Sequence, residues 1–139
     1  MINYINDEII LVARLFLAAL FLIFGWRKLT DISGTVSQMV RDGLPLPTLA
    51  AAIAIFMELP VAFAVAVGAF TRPSAVLFVL YTLGTSLVEH HYWTMTKADR
   101  VESMEAFYKN LSIMGGFLLL YVTGGGKYSI DALYGITAP

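Results

Sequence analysis

The stretch from Leu49 to Phe70 is apolar over a membrane-spanning length and carries one charge, Glu58, close to its middle. A carboxylate at that depth costs roughly 2.5 to 3.5 kcal/mol on insertion scales, so it must face protein or water, or hold a proton. Any fold of this chain has to provide for Glu58. Hydrophobic residues make up 58% of the 139 positions, above the usual range for a soluble domain, so lipid is the expected solvent.

Three further apolar stretches reach or approach the ~20 residues a bilayer requires. The first covers about 9–26 and contains Arg14, the third covers 74–88, and the fourth covers 106–122 before Gly124-Gly125-Gly126. Asp7 and Glu8 precede the first stretch where a secretory signal would be basic, so it is read as a retained span. Between the first two spans, Thr30 or Asp31 is placed to cap a short helix with Ile32, Val36, Met39 and Val40 at helical spacing. Gly43 and Pro45 would end that helix, which is expected along the membrane surface. Thr71-Arg72-Pro73 leaves room only for a tight turn, and 94–105 reads as a polar surface loop merging into the fourth helix. The fold class that follows is all-α, an integral membrane four-helix bundle forming one domain over 1–139.

Arg27, Lys28, Arg41, Lys97, Arg100 and Lys109 gather at one side of these spans, with Arg72 and Lys127 on the other, which predicts termini outside the cytoplasm. Aromatic residues fit two interfacial belts, Trp26, Tyr92, Trp93 and Tyr108 on the basic side and Tyr4, Tyr121 and Tyr128 opposite. A formal net charge of -1 gives no field for nucleic acid. The absence of cysteine removes disulfides, thiolate metal sites and thiol nucleophiles.

Two groups of polar residues are candidates for function. Counting at ~1.5 Å per residue from Lys28 and from Pro47 puts Arg14 and Glu58 at similar depth on antiparallel helices. They are expected either to form a structural ion pair or to make a site for proton exchange, an anion or a quinone-like head group. Lys should replace Arg14 poorly, because only Arg offers a planar fork of donors. The second group is a candidate vestibule on the basic face: Lys28, then Thr82, Thr85, Ser86 and Glu89 with Tyr81 beside them and His90 and His91 at their end, then Tyr108, Lys109 and Asn110. Its alternative is hydroxyls joining helices and aromatics in the head-group region. Haem held by two histidines is not expected, since His90 and His91 are adjacent and point about 100 degrees apart on a helix, and Glu89 with one histidine offers a metal two ligands without a third. Gly124-Gly125-Gly126-Lys127 lacks the spacing of a phosphate loop and reads as a helix stop. Pro60 is expected to disturb the second span beside its charge.

The order of Arg14, Gly25-Trp26-Arg27-Lys28-Leu29, Gly43-Leu44-Pro45, Glu58 and Gly68-Ala69-Phe70-Thr71-Arg72 resembles the DoxX family of small four-helix bacterial membrane proteins. The resemblance continues in Phe107-Tyr108-Lys109-Asn110, Gly115-Gly116 and Gly124 to Asp131. It implies a bacterial inner membrane location and an accessory or quinone-proximal subunit of a respiratory or redox complex, not an enzyme as an isolated chain. Arg14, Lys28 and Glu58 are then the matching polar positions, with Lys109 and Asn110 beside them. No cofactor is required by the residues, and quinone is the one the resemblance suggests. Redox-complex subunits or a second copy of the chain are the implied partners. The alternative is a small-molecule or proton-coupled transporter working as an oligomer.

Overall fold

The computed structural model describes residues 2–136, with side chains from Asn6 onward, so the side chain of Tyr4 lies outside the described residues. Every regular element among them is helical. Helix α1 (Ile2–Thr30) leads through Asp31 into α2 (Ile32–Arg41). Next come α3 (Pro47–Phe56), a π turn (Met57–Val61) and α4 (Ala62–Val67), which form one continuous rod. Helix α5 (Thr71–Glu89), a short 3-10 turn (Tyr92–Thr94), α6 (Lys97–Thr123) and α7 (Ile130–Leu133) complete the chain.

The long helices pack through small and aromatic residues. On α1 the inward positions are Arg14, Ala18, Phe21 and Gly25, alternating steps of four and three that keep one stripe toward the bundle. Phe21 meets Phe78 of α5 at 4.6 Å between ring centroids, and Phe78 stacks on Phe117 of α6 at 4.8 Å. Val65, Ala62 and Ala75 close the core around these rings. The outward faces are equally apolar: Phe16, Leu80, Leu119 and Val122 are all more than half exposed. A water-soluble protein rarely leaves contiguous apolar surface of this kind on every long helix.

The rods Asn6–Thr30 and Pro47–Val67 are long and apolar enough to cross a membrane. Helices α5 and α6 are long as well, but Arg72, Thr82, Thr85, Ser86 and Glu89 dilute α5, and the first turns of α6 carry Lys97, Asp99, Arg100 and Glu102.

The connections follow the sequence reading in part. Asp31 caps α2 by accepting from Gly34 N at 3.0 Å, and Gly43 ends the hairpin at φ 77°. Gly124 stops α6 at φ 69°. The residues expected to form a turn, Thr71-Arg72-Pro73, instead open α5. The reversal lies at Gly68 and Phe70, both left-handed. Proline is tolerated there because the first helical turn has no internal acceptor for its missing N–H. The loop expected over 94–105 is helical from Lys97 onward: Thr96 is extended and Lys97 left-handed at φ 47°, and nothing in Ala98 to Glu105 breaks a helix after that. Pro60 does disturb the second rod, as the π turn Met57–Val61 that presents Glu58.

Candidate functional site

Glu58 lies on the π turn with its side chain only 3% exposed. Two donors reach it. Lys28 Nζ stands 2.8 Å from Oε1, and the Tyr81 hydroxyl donates to Oε2 at 2.6 Å. Hydrogen bonds to an ionised acceptor are short and strong, and the pair of them makes a buried carboxylate tolerable. Gly25 permits the approach: a Cβ there would come within 2.8 Å of Glu58 Cβ and of its backbone carbonyl. Lys28 follows one turn later on the same face, near the C-terminal end of α1, where a cation is favoured by the helix dipole. Its side chain is 26% exposed, so its charge keeps some contact with the surroundings.

Tyr81 also lines a cavity of about 230 Å³ between α2, α3 and α5. Met39, Ile53, Ala54 and Leu80 give it apolar walls. Tyr81, Thr85 and Glu89, each four residues after the last, give it one polar edge along α5. Gly84 leaves space, for a Cβ at that position would meet nothing within 4 Å. Two wall residues, Ile53 and Leu80, are themselves 49% and 60% exposed, so the cavity opens sideways between α3 and α5 toward the apolar surface of the bundle.

Glu89 has a second aspect. A separate pocket of about 400 Å³ is lined by Gln38, Asp42, Glu89, His90, Asp99 and Glu102, and it is far more polar. Glu89 is thus shared by an apolar cavity and a polar surface pocket. It is the last residue of α5, beyond the apolar stretch 74–88. Asp42 and Glu58 bring negative charge close to its carboxyl, and Lys28 brings positive charge. Burial raises the carboxyl of Asp42 above the ordinary range, and its Oδ2 is enclosed without a hydrogen-bond partner. His90 is held below the usual imidazole range by burial, partly offset by Asp42 and Glu102.

The remaining vestibule candidates separate. Asn110 donates to Ser86 Oγ at 3.0 Å, and Ser86 donates to the Thr82 carbonyl at 2.8 Å, which ties α6 to α5. Thr82 and Ser86 are buried in that seam and do not line the cavity. Lys109 and Tyr108 are exposed, and Tyr108 sits in a ring cluster with Tyr92 and Phe107. Of the expected vestibule, Thr85 and Glu89 border the cavity, and Lys28 reaches its far side through Glu58 and Tyr81.

The expected pairing of Arg14 with Glu58 does not form. Gly25 is level with Glu58, which puts Arg14 about 16 Å farther along α1, level with Gly68. There Arg14 is wholly buried and its Nη2 donates to the Tyr128 carbonyl. Asp131 supplies the nearby negative charge and also caps α5, accepting from Phe70 N at 2.7 Å and Thr71 N at 2.8 Å. The segment 124–136 therefore folds back onto the turn between α4 and α5. The sequence places Tyr81 beside the polar stripe of α5 but does not show its bond to Glu58, and it gives Asp131 and Gly25 no part in the site. For Asp131 no local pattern existed to find, since it caps backbone 60 residues away.

Among the described residues, no three His, Asp or Glu side chains gather as metal ligands. The DoxX family model matches residues 9–91, which run from within α1 to just past the end of α5 and hence include Lys28, Glu58, Tyr81 and Glu89. The chain belongs to the DoxX family. It is 49% identical to the inner membrane protein YphA of Escherichia coli over 123 residues, 88% of each chain. Identity to the inner membrane protein YqjF of the same organism is 37% over 129 residues, 93% of this chain and 94% of that one. A third relative, the ER-derived vesicles protein ERV29 of Saccharomyces cerevisiae, is 33% identical over 66 residues, 48% of this chain and 21% of its own. No solved structure matches. The DoxX match ends close after Glu89, so α6 and the tail that anchors Arg14 lie beyond it.

Proposed function

We propose that this DoxX-family protein crosses the bacterial inner membrane with α1, the rod α3 to α4, α5 and α6, and binds the head group of a lipophilic quinone-like molecule beside Tyr81. The observation that carries the reading is the cavity of about 230 Å³, apolar on its walls, open laterally toward lipid, and ended by a hydroxyl that donates to a buried carboxylate, itself paired with an ammonium. Its volume lies below that of most drug-sized pockets, so it suits a single ring with a tail left among the lipids. Tyr81, Thr85 and Glu89 offer the few convergent polar groups by which such sites fix orientation. The names of the two Escherichia coli relatives support the inner membrane. The basic side, with Arg27, Lys28, Arg41, Lys97 and Arg100, then faces the cytoplasm, and both termini face away from it. The protein acts as a quinone-proximal subunit of a redox assembly, with electron transfer carried by its partners.

The test is binding of decylubiquinone to the purified protein in nanodiscs, comparing wild type with Gly84→Leu and Tyr81→Phe. Saturable binding that Gly84→Leu abolishes, in a protein that still purifies as a folded species, is the expected result. Wild type that takes up no more decylubiquinone than empty nanodiscs sinks the reading. Transport is the second reading and rests on the buried ion pair Lys28–Glu58, since intramembrane charges often mark ion pathways. Uptake into proteoliposomes that ceases with Glu58→Gln would favour it over quinone binding.

A further inference from the structure

We infer that filling the cavity beside Tyr81 with a neutral lipophilic ligand is coupled to uptake of one proton by Glu89. The inference rests on the cavity being a ligand site and concerns what its occupation does to the wall. Glu89 borders that cavity on one side and the polar surface pocket on the other. It is therefore the one ionisable carboxylate that meets both the ligand space and a route to water. A neutral ring occupying the cavity removes solvent from one side of the carboxylate, and desolvation disfavours its charged form. The surface pocket stays open, so a proton reaches Glu89 without passing the ligand.

The groups facing Glu89 decide whether the charge survives. From α1 comes Lys28, whose Nζ is committed to Glu58 at 2.8 Å, and at the end of α2 Arg41 stands beside Asp42. From the π turn comes Glu58 itself, and from the end of α2 comes Asp42, both negative. The α6 side of the pocket presents Asp99 and Glu102, also negative. The neighbouring His90 places Nε2 4.0 Å from Oε2, and burial holds this imidazole toward its neutral form. Carboxylates outnumber the available cations around Glu89, so its cheapest response to lost solvent is to protonate. The proton comes from water, and no electron moves in this step.

By linkage, a ligand that raises proton affinity binds more weakly as protons become scarce. Decylubiquinone binding to the nanodisc-embedded wild-type protein is measured by calorimetry between about pH 5 and 8, in two buffers of different ionisation enthalpy. The expected result is affinity that falls by up to about tenfold per pH unit as pH rises through the Glu89 titration. Heats in the two buffers should differ by one proton per ligand. Glu89→Gln should bind with the same heat in both buffers and with no slope. The buffer comparison on wild type needs no variant, so misfolding of Glu89→Gln leaves the test intact. Saturable wild-type binding with no pH slope overturns the coupling and leaves the cavity as a binding site. A proton that persists in Glu89→Gln assigns the coupling to another group and also overturns it. Absence of wild-type binding at every pH removes the ligand site and the coupling together.

Discussion

Removing Lys28 should damage the protein far more than neutralising its partner, and the reason is the difference in burial. In Lys28→Met, Glu58 remains 3% exposed with Tyr81 as its single donor. Breaking a buried pair in this way costs about 3–5 kcal/mol when nothing else compensates. The retained Tyr81 bond, charge-assisted, offsets part of this, so about 2–3 kcal/mol is expected. In Glu58→Gln the amide oxygen still accepts from Tyr81, and Lys28, 26% exposed, reaches polar surroundings with a long flexible stem. That variant should lose about 1 kcal/mol. The double variant has no buried charge to orphan and should also lose only about 1 kcal/mol, which gives a coupling of about 2 kcal/mol in the cycle. Reversible unfolding of all four proteins in one fixed lipid and detergent mixture measures it. Single-variant losses that simply add in the double, or Lys28→Met no worse than Glu58→Gln, would refute the claim that Lys28 is what makes the carboxylate tolerable.

Tyr81→Phe removes one donor from Glu58 and should destabilise by about 1.5 kcal/mol, near the upper end for hydrogen bonds within membranes, read in the same unfolding assay. Gly68→Ala should lose at least about 2 kcal/mol, because φ there is 74° and the new Cβ would collide with Arg14 Nη1 and Ser129. Asp131→Ala should lose about 1–2 kcal/mol by freeing the N–H groups of Phe70 and Thr71, with faster hydrogen exchange at the start of α5 as its signature. Asp42 has a carboxyl raised in the folded state, so its contribution to stability is complete below the ordinary carboxylate range and is lost as pH rises through the raised value. Asp42→Asn should therefore flatten that part of the pH profile and stabilise most at neutral pH, seen by comparing thermal unfolding at acid and neutral pH.

Much of the architecture was legible because hydrophobic length and punctuation are local properties. Leu49 to Phe70 announces a buried rod with a charge to satisfy, Asp31 with Gly34 and Gly43 brackets α2, and Gly124 ends α6. Glu58 was legible as a costly residue inside a bilayer and Lys28 as a basic residue at its edge, though not as each other's partners. The failures share a different cause. The turn at Gly68 to Phe70 was displaced to Thr71-Arg72-Pro73 because its stabilising cap is Asp131, a residue remote in sequence. Thr82, Thr85, Ser86 and Glu89 fall on neighbouring positions of one helix, and the pattern alone could not divide them. Packing against α6 claimed Thr82 and Ser86, and the gap beside α3 left Thr85 and Glu89 for the cavity.

Register between helices is the quantity on which the charge pairing turned. Matching Lys28 to Pro47 in depth assumes that the chain between them only crosses from one helix to the next. The α2 hairpin does more, because α2 packs against α3 through Met39, Ala51 and Ala54 and lets α3 begin well past the end of α1. That shift, about 12 Å between the levels of Lys28 and Pro47, is fixed by Gly25, where the missing Cβ lets α1 lie against the π turn at Glu58. Once Gly25 sets the level, Lys28 meets Glu58 at one end of the bundle and Arg14 meets Gly68, Tyr128 and Asp131 at the other. Each buried charge then has polar groups of its own, though Arg14 Nε and Nη1 are enclosed without a hydrogen-bond partner, and the bundle centre between them is left to Phe21, Phe78 and Phe117. On the proposed reading, binding at the cavity beside Glu58 should leave the Arg14 anchor undisturbed, because the two levels lie about 16 Å apart along α1 with the phenylalanine core between them.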